Sequence, residues 1–305
     1  MSPSRKREAV EHLEQTFEIS QRRACRTVAQ PRSTQRYSAQ RPESETRLVR
    51  RMLDLVAQHP RYGYRRIRAL LRAEGWKVNG KRVYRLWRRE GLKVPRKQRK
   101  KRRLGSSQNA CHRRRPDGIN GVWCWDFVFD HTTSGSLLKW LSIVDEYTRE
   151  CLALKVARSI TAEEVIDTLA ELFAIRGVPS HIRSDNGPEF IAQAIQRWLG
   201  QLGVKALYIE PGAPWENGYA ESFHSKLRDE FLNAEEFASL REARGLTRAF
   251  QEAYNQARPH SGLGYQTPAA FAARCTPRRG AGTFEGSPPL LAAAIDGSKD
   301  MVRLS

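Results

Sequence analysis

One ionisable residue inside an otherwise apolar strand constrains this chain most. Trp123-Cys124-Trp125-Asp126-Phe127-Val128-Phe129 is aromatic and β-branched, the composition of a strand covered on its faces, and Asp126 sits in its middle. A carboxylate there is expensive to desolvate unless something positive meets it. Two later stretches offer partners. His181-Ile182-Arg183-Ser184 runs extended into Asp185, Asn186-Gly187 makes a turn through glycine's tolerance of positive φ, and Pro188 opens a helix where its missing N–H is not needed. Asn217-Gly218-Tyr219-Ala220-Glu221-Ser222-Phe223 reads as a helix that carries Glu221. A divalent metal held jointly by Asp126, Asp185 and Glu221 answers the electrostatic problem, because hard cations such as Mg²⁺ take oxygen ligands, carboxylates and substrate phosphates among them.

The net charge of +20 is unevenly spread. Residues 1–115 hold 34 Lys/Arg against 9 Asp/Glu, whereas residues 116–305 hold 19 against 24. A basic third that grips nucleic acid, attached to a near-neutral working part, accounts for this asymmetry. General stickiness or a solubility surface is the competing reading. The five cysteines stand singly, with no C-x-x-C and no zinc-site spacing, so reduced thiols in a cytoplasmic protein are expected. With no signal peptide and no apolar run approaching about 18 residues, export and membrane insertion are not expected.

Taken in order, residues 1–40 predict a small helical unit. Val10, Leu13 and Phe17 recur at helical spacing, Ser20 caps the next helix, and Pro31 breaks it. The unit reads equally as a helix-turn-helix or as a supporting hairpin. Residues 44–92 predict three helices. Leu48, Met52, Leu55 and Val56 form one stripe; Tyr64, Ile67, Leu70 and Leu71 form a second that ends at Gly75; Asn79 caps a third. In that third helix Val83, Leu86 and Trp87 face inward, while Arg82, Arg85 and Arg89, with Lys81, fall outside. Such a row suits the major groove or the phosphate backbone, although a solvated face has the same pattern. Residues 93–117 predict a basic linker that tracks phosphates, with a nuclear-localisation signal as the alternative.

From residue 118 to 275 the pattern is βββαβαβα. Strands at 122–130, 137–147 and 151–156 form an antiparallel meander, and Thr161 with Glu164 makes a capping box that opens a helix ending at Gly177. A strand at 181–185, a helix at 188–202, a strand at 205–210 and the helix with Glu221 follow, and Ser239 with Glu242 opens a last helix to 257. Asp145 and Arg149 read as a turn-stabilising pair, Trp123 and Trp125 as core, and His260 as structural. Residues 276–305, rich in Pro, Gly, Ser and Ala, predict a loose tail.

Several linked motifs carry a resemblance over about residues 5–273. Trp-x-x-Asp-Phe at Asp126, Ser-Asp-Asn-Gly-Pro-Glu-Phe at Asp185, Pro-Trp-Glu-Asn-Gly-Tyr-Ala-Glu-Ser-Phe at Glu221 and Tyr254-Asn255-x-x-Arg258-Pro259-His260 resemble the OrfB-type transposases of bacterial insertion sequences. Those belong to the DDE transposase and retroviral integrase superfamily. Tyr62-Gly63-Tyr64-Arg65-Arg66-Ile67 and the Lys81–Leu86 segment resemble the helix-turn-helix found in this group. The resemblance implies an α/β, ribonuclease-H-like mixed-sheet core preceded by an all-α DNA-binding region. It implies metal-dependent cleavage and strand transfer at the ends of a mobile element. Asp126, Asp185 and Glu221 would be both catalytic residues and ligands of two Mg²⁺ ions, with Mn²⁺ able to substitute, and Asp126 bridging the ions. Arg228, seven residues after Glu221, and Asn217 match positions placed beside DNA, and Arg65 and Arg66 join the candidate DNA contacts. Asp130, Asp145 and Glu189 also match family positions, but turn and helix-start hydrogen bonds explain them as well. The zinc module at the N-terminus of retroviral integrases has no counterpart here. The expected partners are double-stranded DNA (element ends and target), the upstream OrfA product or an OrfAB fusion, and further copies of the chain on DNA, with the nucleoid of a bacterial cytoplasm as the location. The competing functions are a catalytically incomplete end-binding regulator and a ribonuclease-H-like nuclease without joining.

Overall fold

The computed structural model of the chain describes residues 2–37, 43–94, 116–184, 193–208 and 218–275. Asp185, Asn217, most of the basic linker and the C-terminal tail lie outside the described residues. The chain divides into two compact units, one up to Ala57 and one from Gln58.

The first unit holds α1 (Pro3–Phe17), α2 (Gln21–Thr27), α3 (Arg32–Arg36) and nearly all of α4 (Glu43–Gln58). Ser2 and Ser20 cap α1 and α2 by accepting from the backbone N–H groups of Arg5 and Arg23. Val10, Ala24 and Cys25 are buried together, with Leu13, Ile19 and Val28 around them. Phe17, read as part of the α1 stripe, is exposed instead. It is the last residue of α1, and Glu18 then turns into the left-handed region (φ 48°). On α4 the stripe of Leu48, Met52 and Leu55 is buried as its spacing predicts.

The second unit begins with α5 (Tyr64–Ala73) and α6 (Gly80–Arg89). Asn79 accepts from the Lys81 N–H at the start of α6, and Val83, Leu86 and Trp87 are its buried face. Beyond the linker come β1 (Val122–His131), β2 (Leu137–Asp145), β3 (Cys151–Ala157), α7 (Ala162–Arg176), β4 (His181–Ser184), α8 (Gln193–Gln201), β5 (Lys205–Tyr208) and α9 (Gly218–Leu227). A five-residue π-helical turn (Arg228–Leu232) leads to α10 (Leu240–Gln256), a 3₁₀ turn (Ser261–Leu263) and α11 (Pro268–Ala272).

The five strands form one sheet in the order β3-β2-β1-β4-β5. The β1–β2 and β2–β3 pairs are antiparallel, and the β1–β4 and β4–β5 pairs are parallel. Gly135 supplies the positive φ (79°) of the β1–β2 turn. Side chains alternate along β1, so the strand feeds two separate cores. Trp123 and Trp125 pack with Leu141, Ile143, Phe173, Ile195 and Trp198 under α7 and α8, where Phe173 and Trp198 stack at 5.3 Å. Cys124 and Val128 face the other way, toward Trp140, Phe223, Leu227 and Tyr254 under α9 and α10. Full burial of each large side chain contributes about 1.5–3 kcal/mol, so both faces are strongly committed, and the register cannot slip by one residue without exchanging them. Asp126, between Cys124 and Val128, is thereby fixed on the α9 face.

The caps differ in one detail. Thr161 and Glu164 form the expected reciprocal box at α7. At α10, Ser239 accepts from the Glu242 N–H, but the Glu242 carboxylate accepts from the Ala238 N–H, one residue earlier. Ser239 is extended (φ −151°, ψ 162°), and it is the preceding amide that the Glu242 carboxylate meets.

Candidate active site

Asp126 stands opposite Ser142 in the β1–β2 ladder, so the two side chains share one face of the sheet. The Asp126 side chain keeps 20 % of its surface exposed, where β1 passes from its buried first half to a more open second half. Its Oδ1 accepts from the Phe127 N–H at 2.7 Å. Its Oδ2 lies 3.4 Å from His224 Nδ1. The Ser142 hydroxyl donates to the Asp126 carbonyl oxygen at 3.1 Å, and Ser142 Oγ is 2.8 Å from His224 Nε2. His224 on α9 therefore joins β1 and β2 at the carboxylate.

By distance, His224 and Asp126 resemble an ion pair. Burial, helped by the nearby Arg228 charge, instead pushes the imidazole down to about 4. The ring is neutral near pH 7, and the contact is polar rather than ionic. A neutral imidazole has one N–H to share between Ser142 Oγ and Asp126 Oδ2. Carboxylate oxygens are the hard ligand type that a divalent ion such as Mg²⁺ takes, and Asp126 presents a carboxylate on this face.

Glu221 is exposed in the first turn of α9, one turn before His224. Residues three apart on a helix are surface neighbours at about 5–6 Å between Cβ atoms, and α9 packs on β1. Asp185 follows Ser184, the last residue of β4, whose parallel register beside β1 runs from Val122–His181 to Cys124–Arg183. Its side chain lies outside the described residues, as does that of Asn217. Among the described residues alone, no group of three or more His, Cys, Asp or Glu forms a metal cluster.

Arg228 opens the π-helical turn with its side chain exposed, and its carbonyl accepts from the Asn233 N–H at 2.9 Å. The wider turn ends α9 and introduces Asp229 and Glu230, which bond to the segment before α5 and to α5 itself. Arg61 pairs with Asp229. Arg66 reaches Glu230 at 2.8 Å, and Arg258 bonds both Glu230 oxygens at 2.6 and 2.7 Å. Arg258 and Arg66 hold the Glu230 carboxyl below its ordinary range despite its burial, which acts the other way. Arg66 thus has a partner inside the protein, whereas Arg65 is exposed against Tyr64 Oη at 3.1 Å. On α6, Lys81, Arg85 and Arg89 are exposed and Arg82 is half-buried, with Arg89 pairing with Glu90 at 3.0 Å.

The Asp145–Arg149 pairing takes a different form from the one read in the sequence. The Asp145 carboxylate accepts from the backbone N–H groups of Asn120, Tyr147 and Thr148. Arg149 contributes its backbone N–H to the Asp145 carbonyl, and its guanidinium goes to the Tyr219 ring instead. Asp130 accepts from the His131 N–H. Trp123 and Trp125 are core residues. His224 and Ser142 were not singled out in the sequence. The spacing Glu221-x-x-His224, which puts both on one helix face, is the signal that finds the histidine.

A mixed sheet flanked by helices on both faces, with an acid on its central strand and another on the helix packed across it, defines a ribonuclease-H-like core. The Integrase core domain family matches residues 116–214 and again 202–268, and the HTH-like domain family matches residues 43–101. An insertion element IS476 protein of 39.2 kDa from Xanthomonas euvesicatoria is 40 % identical over 273 residues, covering 90 % of this chain and 78 % of that protein. Transposase InsD of insertion element IS2 from Escherichia coli is 29 % identical over 245 residues, covering 76 % of this chain and 80 % of InsD. Among solved structures, the HTLV-2 integrase catalytic core domain in complex with magnesium aligns with a TM-score of 0.42 and 17 % identity, covering 52 % of this chain and 99 % of that one. The chain belongs to the integrase-core family of insertion-element proteins, within the DDE transposase superfamily. Among the described residues no helix is long and apolar enough to cross a membrane.

Proposed function

We propose that this chain is a transposase that binds the ends of its own insertion element and catalyses their cleavage and transfer to target DNA. The observation that carries the reading is the placement of Asp126 on the α9 face of the central strand, against His224, which lies one helical turn after Glu221. Family membership supports it, as does the basic N-terminal third.

Asp126, Asp185 and Glu221 are the residues proposed to hold two divalent ions, Mg²⁺ with Mn²⁺ as a substitute. Bound there, such ions lower the pKa of an attacking water or hydroxyl and stabilise the leaving oxyanion of an in-line displacement. The chain's own part is positional. The Phe127 N–H holds Asp126 Oδ1, the Ser142 hydroxyl holds the Asp126 backbone carbonyl, and His224 packs beside Oδ2, so the carboxylate is set before DNA arrives. Arg228, exposed two turns after Glu221, is placed to meet a DNA phosphate. Lys81, Arg82, Arg85 and Arg89 on α6, with Arg65, are the proposed contacts to the element end. Arg66, bonded to Glu230, is better assigned to holding the α5 segment on the core. Asn217 is proposed to position the α9 helix or the DNA.

The proposed domain scheme is a helical unit at 1–40, a DNA-binding unit at 44–92, a basic linker at 93–117, the catalytic core at 118–275 and a tail; the boundary between the two compact units, after Ala57, falls inside the second of these. Paired ends imply at least two copies on DNA, and the upstream OrfA product or an OrfAB fusion is the proposed partner in the bacterial nucleoid. The test is chemical. Joining uses the 3′-hydroxyl of the element end as nucleophile, so a duplex ending in a 3′-deoxynucleotide must be bound normally yet give no joined product. Joining from the deoxy end would overturn the proposal.

A further inference from the structure

A cavity lies against the same helix as Glu221. It has a volume of about 300 Å³ and is lined by Arg149, Tyr219, Ser222, Lys226, His260 and Gly262, among others. It includes Val144, two residues along β2 from Ser142 on the same sheet face, which places it about 7 Å along the strand from the Asp126 site. That volume is at the lower end for small-molecule sites and larger than a bare oxyanion needs.

The cavity's chemistry is one-sided. Arg149, Lys226 and His260 line it, and among the described residues no carboxylate does. The Arg149 guanidinium carbon sits 3.7 Å from the centre of the Tyr219 ring. Among the described residues its Nε and Nη1 are buried and have no hydrogen-bond partner, and the same is true of His260 Nδ1. Buried guanidinium donors without acceptors are rare in native proteins. Arg258 and Arg66 nearby share the single Glu230 carboxylate, and Glu146, the acid that acts on Arg149, is paired with Arg183. The region therefore carries a positive excess in which the cavity shares. Burial and the surrounding Arg258, Arg149, Arg66 and Lys226 charges push His260 down to about 4, which reports the same positive field.

The site is also preformed. Arg149 holds a φ of +65°, a region that non-glycine residues adopt only when their surroundings enforce it. Here the turn enforces it: Asp145 takes the Tyr147 and Thr148 amides, and the Asp145 and Glu150 backbones close the hairpin. The His260 backbone N–H is bound by the Gln266 carbonyl at 2.9 Å. A Cβ on Gly262 would come within 3.4 Å of the His260 ring, so glycine lets the chain pass beside it.

We infer that this cavity binds a backbone phosphodiester of DNA, with Arg149 as its central contact and the Tyr254-Asn255-x-x-Arg258-Pro259-His260 segment as its wall. The inference rests on the DNA-processing reading of the chain and adds a phosphate subsite to it. Arg149 is a binding residue, distinct from the acids at Asp126.

The experiment measures affinity of the full-length chain for a 30-base-pair duplex by fluorescence anisotropy across a salt series, for parent, Arg149→Gln and Arg149→Lys. One lost phosphate contact lowers the slope of log K against log [salt] by about 0.9. Arg149→Gln is expected to show that drop equally on element-end and unrelated duplexes, and Arg149→Lys to restore most of it. An unchanged slope in a folded Arg149→Gln protein overturns the inference. Should Arg149→Gln not fold, the parent chain labelled at histidine decides. Addition of a short duplex must shift the His260 imidazole resonance, and no shift overturns the inference. Inorganic phosphate alone serves as a third arm, and a shift of equal size at equal concentration would assign the cavity to free anions instead. Loss of strand transfer with the Arg149 effect intact would count against the transposase reading and leave the subsite standing.

Discussion

His224 Nδ1 lies 3.4 Å from Asp126 Oδ2, and its Nε2 lies 2.8 Å from Ser142 Oγ. One imidazole thus sets the orientation of the carboxylate on which the proposed chemistry depends. Groups that orient metal-binding side chains typically change activity 10–100-fold when removed. His224→Ala is expected to lower strand transfer by roughly that factor with DNA affinity within about two-fold of the parent. His224→Asn, which keeps a polar group near the carboxylate, is expected to recover part of the loss. The check is single-turnover joining beside an anisotropy titration.

Glu230 gathers Arg66 and Arg258 in a nearly closed environment, with the Glu230 and Arg258 side chains 7 % and 3 % exposed. Removing the carboxylate leaves two guanidinium groups facing each other. Glu230→Ala is expected to destabilise the unit from Gln58 by about 3–5 kcal/mol, the usual cost of stranding a buried charge. Urea unfolding followed by circular dichroism measures it. A loss under about 1 kcal/mol, as for an exposed pair, would contradict the buried arrangement.

The same groups set an acid limit. His260 is held down to about 4 from an ordinary value near 6.5, so its neutral form is preferred in the folded state. Its contribution is full above about pH 6.5 and lost as pH falls toward 4. Glu230 is also depressed, so its contribution is present above the ordinary glutamate value and lost as pH falls through its lowered one. Both signs agree. The melting temperature is expected to decline from pH 6.5 downward, and His260→Gln to flatten the first part of that decline. A melting temperature that rises between pH 6.5 and 4 would contradict this account.

Most of the fold is legible in the sequence because the strands are strongly patterned. The β1 alternation of Trp123 and Trp125 against Cys124 and Val128 is enough to place Asp126 on one face. Thr161 and Glu164 mark the start of α7 through groups adjacent in sequence. What could not be read lies in long-range pairing. Arg66 looks like a DNA contact in a basic segment, and only the return of Glu230 from about 160 residues later gives it another partner. Arg149 and Asp145 look like a local ion pair, yet Asp145 is satisfied by three backbone amides and Arg149 is drawn to Tyr219. His224 needed no such partner to be noticed, only attention to the residue one turn after Glu221.

The exposed side of α6 carries the binding prediction. Arg85→Ala is expected to weaken binding to the element end several-fold and to leave joining of already bound DNA unchanged, because that helix supplies none of the reacting groups. Base readout predicts a larger loss on the element end than on unrelated DNA, whereas phosphate contact predicts equal losses. Competition titrations with both duplexes separate them, and an Arg85→Ala protein that binds both as the parent does would remove α6 from the interface.

The most direct measurement is strand transfer by the purified chain on labelled duplexes from the flanking element ends, with Mg²⁺, Mn²⁺ or EDTA, beside Glu221→Gln and with the upstream partner added in a parallel set. The account predicts joined products with either metal, none with EDTA, and none from Glu221→Gln although that variant still binds the ends. Joining by Glu221→Gln at the parent's rate, or joining that persists in EDTA, would contradict it.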